Sequence, residues 1–257
     1  MKISYISDLH LDFWVQFTKN QIKWEQRTKE FISKLIDTDE GERDVLVIAG
    51  DLGHFNKQSI WAIDTFAKHY NHVVVTYGNH DLYLISNNQA SKYLNHSKNR
   101  LNELHVMLLS IPNVRPLFTD KTFTYKGVTF GGNPMWYPLE TIDQQMFFNN
   151  ISNDSKLIKG FNVKEAHHQS IEEYESLLTK SIDVMVSHIP VINIDSHFKY
   201  NSTACYLTQP KDIQVKHWIM GHSHEQKVYE KPYCKFYMNA IGYPEEKLSL
   251  SIKHFIL

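Results

Sequence analysis

Five short apolar runs in this chain each end at a polar residue that can hold a metal or move a proton. Lys2 to Ser7 stops at Asp8, Asp44 to Ala49 at Gly50-Asp51, and His72 to Thr76 just before Gly78-Asn79-His80-Asp81. Ile182 to Ser187 stops at His188, and Lys216 to Met220 at Gly221-His222-Ser223-His224. A continuous apolar run of this length suits a strand buried on both faces. Trp24 to Ile36 lies between two of these runs and has helical spacing, with Phe31, Ile32, Leu35 and Ile36 on one face; Ile60 to Tyr70 also reads as a helix. Strand, helix, strand, helix, strand implies parallel pairing and an α/β fold. Ligands of such sheets bind beyond the carboxyl ends of the strands. Asp8, Asp51, Asn79, His188 and His222 are therefore expected to converge on one rim.

Carboxylate, imidazole and amide donors with no thiol suit Mn, Fe, Zn or Co. The chain holds 10 Gly, and Gly50, Gly53, Gly78, Gly131, Gly132 and Gly221 all fall at or near these turns, where the backbone has few alternatives. The charge is 27 basic against 28 acidic residues, a net of -1, which disfavours a dedicated electrostatic DNA binder. No apolar run approaches the ~18 residues of a membrane span. Asp8, His10 and Asp12 interrupt any apolar leader near the start, so a cytoplasmic protein is expected, with Cys205 and Cys234 as reduced structural thiols.

In the second half, Lys121 to Tyr125 and Val128 to Phe130 read as a hairpin. Asn133 to Lys159 is polar, aromatic-rich and poorly periodic, and reads as a long loop, with 134–160 as a lid or substrate loop. Val163 to Lys180 reads as a helix, and Val228 to Glu230, Lys235 to Met238 and Leu248 to Ile252 as late strands. With no repeat, low-complexity tract or linker, 1–257 is expected to form one domain.

The ordered set Asp8-Leu9-His10, Gly50-Asp51, Gly78-Asn79-His80-Asp81, His188 and Gly221-His222-Ser223-His224 resembles the calcineurin-like metallophosphoesterase superfamily. Gly132 to Trp136, Asn153-Asp154 with Leu157-Ile158, and Asn239 to Pro244 resemble further stretches of its small stand-alone cytosolic members. The resemblance implies a four-layer α-β-β-α sandwich, two facing mixed sheets flanked by helices, with a dinuclear metal site at the strand ends. Asp8, His10, Asp51 and His224 would bind one divalent ion, and Asp51, Asn79, His188 and His222 the other, with Asp51 bridging. Mn is the expected metal, with Fe, Zn, Co or Ni as alternatives.

The same resemblance implies hydrolysis of a phosphomonoester or phosphodiester by a metal-bridging hydroxide, with His80 as general acid and Asp81 fixing its tautomer. The substrate is expected to be a small phosphoester, such as a cyclic nucleotide or another small diester. The family often carries Gly-Asp-x-x-Asp, followed by Arg in phosphoprotein phosphatases. Here the stretch is Gly50-Asp51-Leu52-Gly53-His54 with no Arg, which counts against a protein phosphatase. His54, Asn133 and Trp136 are expected at the substrate pocket, with a solvent-facing turn as the other reading of His54 and core or lid packing as that of Trp136. His197 is a further histidine that could face substrate. A nuclease of the same superfamily and a metal-binding module without catalysis are the rivals. The charge and length argue against the first, and the presence of His80 against the second.

Overall fold

A computed structural model describes residues 1–119, 121–194 and 207–257; His197 and Cys205 lie outside the described residues. In chain order the elements are β1 (Lys2–Ile6), α1 (Leu11–Trp14), α2 (Gln21–Ile36), β2 (Val45–Ala49), α3 (Asn56–Ala67), β3 (His72–Thr76), α4 (Asn87–Lys92), α5 (Ser97–Leu109) and β4 (Val114–Pro116). There follow β5 (Thr122–Tyr125), β6 (Val128–Gly132), α6 (Ile142–Asn150), α7 (Asp154–Leu157), α8 (Val163–Leu178), β7 (Val184–Val186), β8 (His217–Met220), β9 (Val228–Glu230), β10 (Lys235–Met238) and β11 (Lys253–Ile256).

The strands form two mixed sheets, ordered β11-β1-β2-β3-β4 and β5-β6-β7-β8-β10-β9. β1 to β4 pair in parallel, as do β6, β7, β8 and β10, while β11, β5 and β9 add antiparallel edges. The period of two along each strand builds the layers. Ile3, Tyr5, Val45, Val47, Ala49 and Val74 meet Phe130, Val184, Val186, Ile219 and Tyr237 of the other sheet in one core. The alternate residues Leu46, Ile48, Val73 and Val75 join a second core with Ile32, Leu35, Ala62, Ile63 and Phe66 of α2 and α3. Both faces of β2 are thus apolar, which explains its uninterrupted Val-Leu-Val-Ile-Ala sequence. The α-β-β-α sandwich expected from the sequence is the architecture observed.

Two local expectations change. Leu248 to Ile252 is not a strand; the edge strand is β11, whose residues alternate between half-buried and exposed. The stretch read as a loop from Asn133 holds α6 and α7, and Met135, Trp136, Tyr137 and Leu139 within it are buried. Thr141 and Gln144 form a reciprocal capping box that starts α6, although that helix buries no residue of its own.

The rim is laced together by backbone bonds between strand ends. The Asp8 N–H donates to Gly50 O (3.1 Å), His10 N–H to Asp51 O (3.1 Å) and Gly221 N–H to His188 O (3.0 Å). Ser7 forms a parallel bridge with Ala240, so the turn after β10 joins the end of β1 and carries Tyr243 and Glu246 to the same rim.

Candidate metal centre

The turns that leave these strands have unusual backbone. Asp8 (φ 52°), His10 (φ 40°), Asp51 (φ 55°), His222 (φ 70°) and His224 (φ 52°) all occupy the left-handed region. Side chains there cost of order 1 kcal/mol each and persist where surrounding structure over-determines them. Each turn throws its side chain back over the strand end, toward its neighbours. Gly78 lets two turns close on each other: a Cβ there would lie 2.1 Å from Asp51 Oδ1 and 2.7 Å from His188 Nε2.

The seven residues expected to ligate metal do come together. His10 Nε2 and His224 Nε2 are 3.0 Å apart, and His224 Nε2 is 3.8 Å from Asp8 Oδ1. Asn79 Oδ1 lies 3.0 Å from His188 Nε2 and 3.2 Å from His222 Nδ1. Asp51 Oδ2 stands between the two sets, 3.4 Å from His188 Nε2 and 3.7 Å from His10 Nε2. Asp8, His10 and His224 form one group with metal-ligand spacing, and Asp8, Asp51 and His188 another. The donor set of carboxylate oxygen, imidazole nitrogen and one amide oxygen fits borderline divalent cations.

The electrostatics of the cluster are strongly coupled. Burial opposes charge on Asp51, but His188 and His80 outweigh it and hold its carboxyl well below the ordinary range. Burial alone would lower His188; Asp51 instead raises it to about 9. Burial, with the neighbouring His80 and His224, keeps His10 well below its ordinary value and hence neutral, the form that ligates metal. Around this layer, His224 Nδ1 meets Glu246 Oε2 at 2.7 Å and His188 Nδ1 meets Ala49 O at 2.9 Å, so Nε2 of each ring faces inward.

Asp81 and His54 differ from their expected roles. Asp81 does not bond the His80 ring. Its carboxylate accepts from the N–H groups of Gly78 (2.8 Å), Asp51 (3.0 Å) and Leu52 (3.1 Å), clamping the Gly50-Asp51 and Gly78-Asn79 turns together. The partner on His80 Nδ1 is His54 Nε2 at 3.0 Å. His54 is buried behind His80 and does not line the cavity.

Asn133 and Trp136 also stand away from the centre. Asn133 is buried, accepts from the Met135 N–H and donates to Ser170 O, fixing the turn after β6. The Trp136 indole donates to the Tyr77 hydroxyl at 3.2 Å and lines a separate cavity of about 240 Å³. The cavity above the centre has a volume of about 300 Å³, bordered by Asp51, Asn79, His80, Tyr83, Phe147 and Tyr243 among others.

Four contributors were not identified from the sequence as part of the site. Asp12 meets His54 Nδ1 at 2.7 Å, and Arg100, fully buried in α5, donates to His80 O (2.7 Å) and Tyr83 O (3.0 Å). Tyr243 brings its hydroxyl to 3.4 Å from His80 Nε2, and Glu246 backs His224. For Asp12 the signal was its place two residues after His10; for Tyr243 it was the Asn239 to Pro244 stretch. The burial of Arg100 had none.

Comparison with known proteins agrees with this geometry. The family model for calcineurin-like phosphoesterases matches residues 1–226. No curated protein matches the chain. Among solved structures, a phosphopantetheinyl hydrolase from Mycobacterium tuberculosis superposes with a TM-score of 0.71 at 18% identity, covering 99% of this chain and 95% of its own. A 5'-nucleotidase from Candida albicans matches at a TM-score of 0.45 and 12% identity, over 98% of this chain and 51% of its own. With the family match spanning most of the sequence and the fold shared along its length, this chain belongs to the calcineurin-like phosphoesterase family.

Proposed function

We propose that the chain is a metal-dependent hydrolase of a small phosphoester, preferring a diester to a monoester, with His80 as the general acid. The observation that carries the reading is Asp51 Oδ2, one carboxylate oxygen within 3.4 Å of His188 Nε2 and 3.7 Å of His10 Nε2. Asp8, His10, Asp51 and His224 would hold one cation, and Asp51, Asn79, His188 and His222 the other. When bound, two divalent cations neutralise phosphoryl oxygens and acidify water enough to supply hydroxide near neutral pH.

The chain's own groups do the rest. Asp51 provides negative charge shared between the two ligand sets. His80 Nε2, 4.0 Å from Asp51 Oδ2, borders the cavity where the departing oxygen would lie; burial lowers its ring to about 4, so the negative charge of a bound phosphoester has to raise it before it can donate. Phe147 and Ile151 supply an apolar border against which an ester group can rest.

Preference for a diester follows from charge. Among the described residues that line the cavity, none is Lys or Arg. A diester carries one negative charge on its phosphoryl group, whereas a monoester carries nearly two and gains more from an added cationic clamp. The net charge of -1 likewise favours a small substrate over a nucleic acid polyanion. The test uses Mn-loaded protein with bis(p-nitrophenyl) phosphate, p-nitrophenyl phosphate and a short duplex DNA. We expect kcat/KM for the diester to exceed that for the monoester by about tenfold or more, a difference of about 1.4 kcal/mol. A monoester preference, or DNA as the best substrate, would overturn this assignment.

A further inference from the structure

We infer that Glu140, His167 and His168 bind a divalent cation of the zinc type, at a site separate from the dinuclear centre that staples the turn opening α6 onto α8. One donor atom of each residue lies within 4.8 Å of the other two. None of the three borders the cavity above the centre, and none belongs to the groups formed by Asp8, His10, Asp51, His188 and His224. Two imidazoles and a carboxylate suit Zn²⁺ or its borderline neighbours better than Ca²⁺ or Mg²⁺, which take oxygen ligands. Zn²⁺ with three protein ligands completes its tetrahedron with water.

α8 sets the two rings. Its buried residues include Ala166, Ser170, Tyr174 and Leu177, so His167 falls at the edge of that stripe, half-buried, and His168 is exposed. Their ring centroids are 5.5 Å apart, with the planes at 52°. Two imidazoles on one tetrahedral ion, with bonds of about 2.0–2.1 Å, hold their centroids about 5 Å apart. The pair therefore stands close to the separation that a shared ion requires. His167 is also prepared as a ligand. Its Nδ1 lies 2.6 Å from Trp136 O and 3.4 Å from Thr208 Oγ1. A carbonyl oxygen only accepts, so Nδ1 carries the proton of the neutral ring and Nε2 keeps the lone pair. A hydrogen bond of this kind, from the far nitrogen to a carbonyl, is what orients metal-binding imidazoles.

The third donor comes from the segment that leads into α6. Trp136 is docked on α8 twice, its N–H donating to Ser170 Oγ (3.2 Å) and its carbonyl accepting from His167. Leu139 is buried, and Glu140 follows it at the surface. The Glu140 N–H donates to Gln144 Oε1 at 2.9 Å, so this residue joins the cap that starts α6. Zn²⁺ bonds of ~2.0–2.2 Å set tetrahedral donors about 3.4 Å apart, an approach that the exposed Glu140 and His168 side chains make by rotating about their own bonds. A cation held there fastens the start of α6 to α8. The fastening matters because α6 buries no residue of its own, while Phe147 within it and Ile151 just after it border the cavity above the centre.

The experiment counts zinc. Protein stripped with a chelator is equilibrated with excess Zn²⁺ by dialysis, and bound zinc is measured against protein concentration. His168→Ala and Glu140→Gln should each hold one equivalent less than wild type, whatever number the dinuclear centre holds. Both residues are exposed, so neither change disturbs the core. His69→Ala, at an exposed histidine on another part of the chain, should match wild type. Equal zinc in wild type and both variants, or the same loss in His69→Ala, would overturn the site. Hydrogen exchange over residues 140–151 reads the staple. Zinc at about 100 times the dissociation constant of this site should slow exchange there by at least about tenfold in wild type and not in His168→Ala. Unchanged exchange in wild type, or equal protection in both proteins, would overturn the staple. The count does not depend on turnover, so a failed hydrolase assay leaves this site standing, and its own failure leaves the hydrolase reading untouched.

Discussion

Asp154 Oδ1 accepts a hydrogen bond of 2.8 Å from Asn79 Nδ2, and that bond turns the amide oxygen of Asn79 toward His188 and His222. Asp154 is buried and also accepts from the hydroxyls of Tyr83 and Tyr137. It belongs to α7, so the segment that flanks the cavity is wired to Asn79.

Removing the charge at Asp154 should therefore be felt at the metal. Asp154→Asn presents an amide that can donate to Asn79 as well as accept, which loosens the choice of amide end. Groups that orient a ligand typically matter by about 10–100-fold in metal affinity. Titration calorimetry with Mn²⁺ should show that loss for one of two ions. Two sites of unchanged affinity would contradict the role given to Asp154.

Gly78 admits no side chain. An alanine Cβ would overlap Asp51 Oδ1 and crowd His188, neither of which is the far end of a flexible chain. Gly78→Ala should lower stability by about 1–3 kcal/mol and cut bound metal to one equivalent or less. Denaturant unfolding and elemental analysis of the same sample check both. A stable variant holding two metals would show that the turns do not meet as described.

His188 sets a pH dependence for metal uptake. Asp51 raises it to about 9 despite burial, so at pH 7 its ring is protonated before a cation binds. A cation at Nε2 must displace that proton. Affinity should therefore rise with pH between 7 and 9 and level off above, by up to about tenfold per pH unit for one proton. Calorimetry in buffers of different ionisation enthalpy should count about one proton released at pH 7. Affinity independent of pH over this range would contradict a protonated His188.

The strand ends were legible because their chemistry has no other reading in concert. Val45 to Ala49 is apolar on both faces, since one face meets the second sheet and the other α2 and α3. A polar residue directly after it has nowhere to go but the rim. Distances across the rim could not be read, so Asp81 was assigned to the ring beside it in sequence, while its carboxylate turns back to three amides. His54 looked like a pocket residue because the register of Gly50 to His54 is visible, but α1 packing over Gly53 is not. Asn87 to Leu109 carries no readable helical period in the sequence. α4 has no buried residue and α5 buries Arg100 among its leucines, so neither carries a clear apolar stripe. Asn133 and Trp136 sit in a recognisable turn, yet their side chains point behind the centre, where they brace β6 and Tyr77.

The dinuclear centre is tested most directly by adding Mn²⁺ in known amounts to protein stripped with a chelator, while following hydrolysis of bis(p-nitrophenyl) phosphate and the electron paramagnetic resonance signal together. Wild type should show no activity when stripped and reach full activity at two equivalents, with a spin-coupled signal from paired ions. Asp51→Asn, lacking the oxygen that faces both ligand sets, should lose the coupling and at least about 100-fold in kcat. Full activity in stripped protein, saturation at one equivalent, or a coupled pair and undiminished turnover in Asp51→Asn would contradict a centre bridged by Asp51.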